Sequence, residues 1–591
     1  MPAFAGCHRN DIPDDHPRAV VVVLDGIPAS SMPQSMDSSR VPAINRGVPI
    51  TVEAHTALLT GRHQPLATFS PGQQGAWRST VPTIFELLTT QRDVDPNTQL
   101  AAMANTVLLS EVTTSRAPHM GSHTGPPMEI LHVSDRTLLD AVQTRLMAED
   151  IHFMLVNLHD MDQRAHDGED YHPLLDARLE EVDALRMWLQ QTPPYADRTH
   201  LLVLSDHGRH DWGEDADWWN HGDQCVGCRE IALHWFTPSG ESINADTPMD
   251  LTDISAALAH TLQLEQPLGH GSPVGRTDSN LPALPLHLIH DSGKIWFEDT
   301  ALNVDGEPIQ VVGWDATGRI LCWRSLPTAT DGWQSWRPHC MDIQATHTAL
   351  PLPATTVSAL WQPAFHLHED TLWLADHTNI NEFTGRSTVM PQLSRGRFGT
   401  WEQTQGPEVI YPQDVSLVVD GPADARIALI DSESESQGRD SRQIHIWSVH
   451  WPEMDIAQWS EEGVFQPEPG IARLSNPALH GHQVAALQWP EDGGINIAVA
   501  DIETGHWASI PLGDCLMGHI PPRWDAHGVL WWVRQPTLST IAICQWNGDA
   551  SACTTMEAES ADHLSIHDDT VSIAQWNGHE WSTATISTQQ K

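Results

Sequence analysis

The chain has 591 residues, 40% of them hydrophobic, with 31 Lys and Arg against 77 Asp and Glu, a formal net charge of −46. That length exceeds one ordinary domain, so at least two are expected. The acidic balance, with lysine only at Lys294 and Lys591, repels polyanions and argues against a nucleic-acid-binding surface, and no apolar run reaches the roughly 18 residues of a transmembrane segment.

Residues 1–17 are polar and read as a tail. Within them Met1 to Cys7 has small residues before a cysteine, and Arg9 to Asp15 then turn polar. That looks like the tail of a lipoprotein signal, which with a start further upstream would lipidate Cys7 and place the protein outside the cytoplasm; a disordered leader with an incidental cysteine fits the same residues. Ala19 to Leu24 is a continuous β-branched run typical of a buried parallel strand, and it ends on Asp25-Gly26. A Ser-, Pro- and Gly-rich loop leads to a short helical run from Thr51 to Gly61. Taken alone, Thr51 is an N-cap: a hydroxyl side chain before an apolar run satisfies orphan backbone N–H groups.

A helix over Val81–Thr90 and a strand over Leu100–Leu109 come next. Residues 113–128 form a loop. Asp135 to Ala148 is amphipathic, with Leu138, Leu139, Val142 and Leu146 on one face. Ile151 to Leu158 is a second buried strand, running into His159 to His166, and a long helix covers about 173–191. His200 to Leu204 is a third buried strand, ending on Ser205-Asp206-His207-Gly208. Beyond Asn220-His221-Gly222 come a strand at Ile231–Phe236 and a last helix at Asp250–Leu264. Strands alternating with helices predict an α/β domain with a mainly parallel sheet covered on both faces.

Three apolar strands thus end on acidic or imidazole residues, and in open α/β sheets ligands bind at the carboxyl ends of the strands. Asp162 and His166, four apart, share one face of a helical turn. Asp206 and His207 lie at a strand end where the chain bends. An isolated strand-end Asp is ordinarily a turn or cap, and a lone D-x-x-x-H a surface pair. Three such groups at equivalent strand ends point to one shared rim.

With these pieces in this order the sequence resembles the alkaline phosphatase superfamily over about 18–280, in particular its nucleotide pyrophosphatase/phosphodiesterase branch and sulfatase-related fold. Leu24-Asp25-Gly26 resembles the opening strand. Thr51-x-x-x-His55, closed by Thr60-Gly61, resembles the nucleophile helix. Asp162-x-x-x-His166 and Ser205-Asp206-His207-Gly208 resemble two metal-binding pairs, and His221-Gly222 the last metal histidine. The resemblance implies two divalent metal ions, Zn²⁺ by ligand chemistry, one held by Asp25, Thr51, Asp206 and His207 and the other by Asp162, His166 and His221. Thr51 would attack phosphorus and form a phosphothreonine. The Pro-Asn that many phosphodiesterases of the branch carry before the helix histidine is here Glu53-Ala54. No Cys-x-Pro-x-Arg stands at Thr51, against a sulfatase with a matured cysteine. Asn105, Arg62 and Arg164 are candidate oxygen-binding groups; His159 and His210 read as supporting or solvent-facing residues.

The chain carries eight cysteines. Cys322 with Cys340 and Cys544 with Cys553 are close enough in sequence for local disulfides in an oxidising compartment, leaving Cys7 and Cys515. Cys225-Val226-Gly227-Cys228 reads first as a local disulfide; a structural zinc would need two more ligands that spacing does not identify.

After about 285 the helical periodicity vanishes. All of the 25 tryptophans but six, Trp77, Trp188, Trp212, Trp218, Trp219 and Trp235, fall there. Short alternating runs recur, and Gln545-Trp546-Asn547-Gly548 returns as Gln575-Trp576-Asn577-Gly578. Residues 286–591 are therefore expected to form an all-β domain, a β-propeller of roughly five to seven blades, with two β-sandwiches as the alternative. Its tryptophans read as packing between blades, and its surface could take a glycan or a protein. The expected function is a two-metal phosphate ester hydrolase, phosphodiesterase or phosphatase. The alternatives are a sulfatase-like or phosphonate hydrolase of the same superfamily, or a non-catalytic binding protein built on the propeller.

Overall fold

The computed structural model describes residues 16–33, 40–47, 49–64, 78–120, 124–210, 218–222, 225–240 and 248–269. Beyond them it describes 289–290, 294–297, 300–302, 308–314, 320–325, 337–342, 348–350, 364–369, 371–379, 388–397, 400–407, 409–410, 415–432, 442–452, 456–466, 470–490, 495–510, 512, 515–548, 551–567, 570–578 and 581–587. The expected tail, Cys7 and the junction near 285 lie outside these residues.

In chain order the first half comprises β1 (Arg18–Leu24), β2 (Ala43–Ile44), α1 (Thr51–Thr60), α2 (Ile84–Arg92), β3 (Leu100–Ala104), β4 (Met128–Ile130), α3 (Asp135–Ala148), β5 (Phe153–Leu158), α4 (Asp160–His166), α5 (His172–Gln191), β6 (Thr199–Leu204), α6 (Val226–Arg229), β7 (Glu230–Ile231), β8 (Leu233–Phe236), β9 (Met249–Asp250) and α7 (Leu251–Thr261). The main sheet has the order β4-β3-β5-β1-β6-β8. Its neighbours pair in parallel except β8, which runs antiparallel to β6 at one edge. The segment expected as one strand at Ile231–Phe236 breaks at Ala232, and β7 joins a small second sheet with β2 and β9. The strand expected over Leu100–Leu109 stops at Ala104, because Thr106 caps a 3-10 turn at Val107–Leu109.

The unbroken apolar run of β1 reflects burial on both faces. Ala19, Val21 and Val23 pack with α1, α2 and α7, while Val20, Val22 and Leu24 pack with α3 and α5. Alternate side chains point to opposite faces, so a strand covered twice has no polar side. Each fully buried Val or Leu contributes roughly 1.5–3 kcal/mol relative to exposure. The parallel register sets Leu24 opposite Leu158 and Val23 opposite Leu204. The residues after these strands therefore emerge on one rim.

From 289 to 587 the described residues form seven antiparallel sheets of three to five strands, met one after another along the chain. The first strand of one sheet lies against the first strand of the next, as at Val415–Val419 against Ile471–His480 and the latter against Arg523–Trp524. Successive sheets whose first strands adjoin are the arrangement expected of β-propeller blades. Trp373, Trp447, Trp451, Trp489, Trp531 and Trp532 are buried, and Trp373 meets Trp451 edge to face, as blade packing requires. Both Trp-Asn-Gly repeats close an outer hairpin, where Gly548 and Gly578 adopt φ of 100° and 88°, a region open to glycine at no steric cost. Cys544 and Cys553 are disulfide-bonded across facing strands. Cys340 is also disulfide-bonded, and Cys322 stands opposite it in register.

Candidate metal centre

Thr51 is not a cap. The N-cap of α1 is Ile50, in extended conformation (φ −131°, ψ 151°), with no side-chain capping bond, and Thr51 is the first helical residue. Its buried hydroxyl turns instead to the rim, donating to Asp25 Oδ1 at 3.3 Å and lying 3.3 Å from His207 Nε2. His55 Nδ1 lies 2.8 Å from the Thr51 carbonyl, which it meets as donor, locking the first turn. Gly61 ends the helix with φ 70°, a left-handed C-cap of the kind glycine favours.

Asp25, Asp206 and His207 form one cluster, all buried, with potential ligand atoms within 4.8 Å of one another. His207 Nδ1 sits 2.9 Å from the Gly208 carbonyl. A proton there leaves Nε2 as a lone pair, and Nε2 is 3.4 Å from Asp25 Oδ1 and 3.5 Å from Asp206 Oδ2. Asp206 Oδ1 accepts from the Gly26 and His207 backbones, whereas its Oδ2 is buried with no hydrogen-bond partner. Leaving a buried carboxylate oxygen unpaired is costly, so this atom fits a cation.

Asp162, His166 and His221 form a second cluster. Asp162 and His166 share a face of α4, with His166 Nε2 3.3 Å from Asp162 Oδ2. His221 Nδ1 lies 3.0 Å from the Pro49 carbonyl, and its Nε2 faces His166 Nε2 at 3.0 Å and Asp162 Oδ1 at 3.6 Å. Imidazole nitrogens converging on one carboxylate, with the outer ring nitrogen held by a backbone carbonyl, are the donor arrangement of a divalent metal site. The rings of His207 and His221 stack at 3.9 Å, which joins the clusters. All seven residues expected at the rim are thus brought together.

Three supporting residues, Asn45, Asn157 and Arg209, are not marked for these roles by spacing, and His159, expected as supporting or solvent-facing, joins them as a supporting residue. His159 Nδ1 is 2.9 Å from Asp25 Oδ2 and 3.8 Å from Asp162 Oδ2, so it bridges the clusters. Asn157 Nδ2 donates to Asp25 Oδ2 at 3.0 Å, and Asn45 Nδ2 to the Asp206 carbonyl at 3.0 Å. Arg209, fully buried, donates to the Gly26 and Trp219 carbonyls and pairs with Asp162. The one signal in the sequence is Asn157, a polar residue inside an apolar strand. Gly26 (φ +69°) lets these groups meet, because a Cβ there would lie 2.3 Å from Asp162 Oδ1 and 2.5 Å from Arg209 Nη2.

Three expected oxygen-binding groups are committed to other partners. Arg62 pairs with Asp562, and Arg164 with Glu169. Asn105 spends its amide on Asp135 and Asp160.

Burial and the neighbouring charges together set the titration of the rim. Burial alone would raise Asp25, but His159 and His207 outweigh it and hold the carboxyl well below the usual range. Burial, then the charge of Asp25, push Asp206 up to about 8. Burial opposes charge on His207 and His159, yet the surrounding carboxylates raise both to about 9. Burial and then His207 hold His221 well below the ordinary imidazole value.

The C-x-x-C departs from the expected disulfide. Cys225 and Cys228 carry thiols and no disulfide joins them. His210 lies with them, its ligand atom and both sulfurs within 4.8 Å of one another.

No family model matches the chain, and no curated protein matches it in sequence. Among solved structures it is similar to murine ectonucleotide pyrophosphatase/phosphodiesterase 5, an inactive variant in complex with AMP, at 14% identity over 43% of this chain and 97% of that one, TM-score 0.34. It is similar to a protein in the alkaline phosphatase superfamily from Vibrio parahaemolyticus at 12% identity over 57% of this chain and 83% of that one, TM-score 0.32. It is also similar to the β-propeller domain of the trilobed protease from Pyrococcus furiosus at 9% identity over 49% of this chain and 86% of that one, TM-score 0.31. The chain itself has an α/β first half around one mainly parallel sheet and a second half of successive antiparallel sheets.

Proposed function

We propose that the chain is a metal-dependent hydrolase of phosphate esters with Thr51 as nucleophile and phosphodiesters as its better substrates. The observation that carries this reading is the position of Thr51, a helix-start hydroxyl that does no capping and lies 3.3 Å from both Asp25 Oδ1 and His207 Nε2. Asp25, Thr51, Asp206 and His207 would hold one divalent cation, and Asp162, His166 and His221 a second. When bound, such cations, Zn²⁺ by donor chemistry, supply Lewis-acid charge and make deprotonation of a hydroxyl or a water accessible near neutral pH.

Thr51 Oγ1 attacks phosphorus and loses its proton to solvent. The bond from phosphorus to the leaving oxygen breaks as the Oγ1–P bond forms, and the departing alkoxide takes a proton from water. Water then attacks the phosphothreonine, the P–Oγ1 bond breaks, and the hydroxyl is restored. His159 and Asn157 hold the Asp25 carboxylate, and Arg209 holds Asp162, so these ligands are oriented in advance. Disulfide-bonded Cys340 and the Cys544–Cys553 bridge support an extracytoplasmic location; no helix among the described residues is long and apolar enough to cross a membrane.

The test is Thr51→Ala beside Thr51→Ser. Thr51→Ala should abolish turnover while keeping fold and metal content, and acid-quenched wild-type protein should carry phosphate on Thr51. Near-normal turnover by Thr51→Ala would exclude it as nucleophile.

A further inference from the structure

Outside the rim stands a second set of soft donors. His210 ends the segment that carries Asp206 and His207. Cys225 and Cys228 begin four residues after His221. His210 and Cys228 are buried and Cys225 partly so, and the imidazole nitrogen and both sulfurs lie within 4.8 Å of one another. The thiols are not joined in a disulfide.

The local backbone is shaped for this meeting. Cys225 is the N-cap of α6, and its Sγ accepts from the Cys228 backbone N–H at 3.3 Å. The two cysteines thus bracket one tight turn with both sulfurs on the same side. The Gly208 N–H donates to the Cys228 carbonyl at 2.8 Å, and the His210 N–H to the Asn220 carbonyl at 3.2 Å. The approach is so close that a Cβ on Gly208 would lie 1.9 Å from the Gly227 carbonyl oxygen. Two separate segments of the chain are therefore pressed together at these donors.

We propose that His210, Cys225 and Cys228 bind a third metal ion, a zinc distinct from the two at the Thr51 rim. Two thiolates and an imidazole select zinc over the oxygen-preferring Mg²⁺, Ca²⁺ or Mn²⁺. Three protein donors leave the fourth tetrahedral position to a solvent molecule. The imidazole distinguishes this site from a plain disulfide, in which it would have no part. The zinc ties the Asp206–His207 segment to the segment carrying His221, so that it positions ligands of both rim clusters without touching substrate.

The full-length protein is isolated with zinc present and without chelator, and its metal is counted in wild type and in Cys225→Ser/Cys228→Ser. Zinc should fall by one per chain in the double variant. Cobalt-substituted wild-type protein should show thiolate-to-cobalt charge-transfer absorption, lost in that variant and kept in Cys515→Ser, which removes a thiol elsewhere. The wild-type cobalt spectrum decides the matter even if the double variant does not fold. The proposal is overturned if wild type lacks the thiolate band, if zinc content is the same in both proteins, or if Cys225 and Cys228 are found disulfide-bonded after isolation with zinc. None of these readouts depends on turnover, so they stand apart from the proposed hydrolase activity.

Discussion

Arg62 Nη1 and Nη2 each donate to a carboxylate oxygen of Asp562 at 3.1 Å, joining the residue after the Gly61 cap of α1 to the last blade. The pair is largely shielded, at 15% and 10% exposure. Around it His119 Nε2 lies 2.7 Å from the Gln535 carbonyl, and Arg116 lies over Trp489. Bidentate guanidinium–carboxylate bonds are directional and resist rotation, so the propeller anchors the far end of the helix that begins at Thr51. A double-mutant cycle with Arg62→Ala and Asp562→Ala should give a coupling of roughly 1–3 kcal/mol in unfolding; a coupling near zero would mean the contact does not join the halves. A fragment of residues 18–285 should still unfold cooperatively, because its core is self-contained, but at lower stability than in the whole chain. An insoluble fragment would contradict this.

Chelation should both stop turnover and lower stability. Three carboxylates, Asp25, Asp162 and Asp206, crowd one buried rim, and cations bound only by the folded state stabilise it by mass action. The effect is about 3–4 kcal/mol per site at free metal 100 to 1,000 times Kd. Thermal unfolding with and without chelator, then with zinc restored, reads it. An unchanged Tm would show that the clusters do not bind.

Substrate charge offers a sharper comparison. A monoester dianion calls for a cationic partner beyond the metals. Arg62 is held by Asp562, Arg164 by Glu169, and Arg209 by Asp162 and two carbonyls. For matched substrates with one leaving group, kcat/KM should favour the diester by at least about tenfold, a transition-state difference of about 1.4 kcal/mol. A monoester preference would require one of these guanidinium groups to change partner.

Asp135, which is not one of the proposed ligands, gives a separate pH dependence. Burial and then the charge of Asp160 raise its carboxyl from 3.8 to about 7. Below pH 3.8 folded and unfolded chains both hold the proton. Between there and about 7 only the folded chain does, so stability falls as pH rises. Asp135→Asn keeps the Oδ1 acceptor for Asn105 and cannot ionise. In chelated protein the variant should gain on wild type progressively over that interval, by roughly 2–4 kcal/mol at its upper end. Parallel stability–pH curves would refute the assignment.

The amino-acid sequence by itself determined the α/β half, because β1, β5 and β6 must be buried on both faces and their composition shows it. It also determined that Asp25, the Asp162–His166 pair and Asp206–His207 share a rim, since parallel strands deliver the residues at their carboxyl ends to one edge of the sheet. The short strands rich in tryptophan of the second half were equally legible. Tertiary structure alone decided the rest. Whether Thr51 caps its helix or faces the carboxylates depends on the extended Ile50, which no propensity specifies. Arg62 and Asp562 are 500 positions apart, and nothing local marks them as partners. Arg209 became part of the rim through the path of the chain after β6. The C-x-x-C reads as a disulfide in isolation, because its third donor, His210, approaches only when two glycines let the loops touch. Periodicity records which way a side chain must face; it carries no record of which distant side chain waits there.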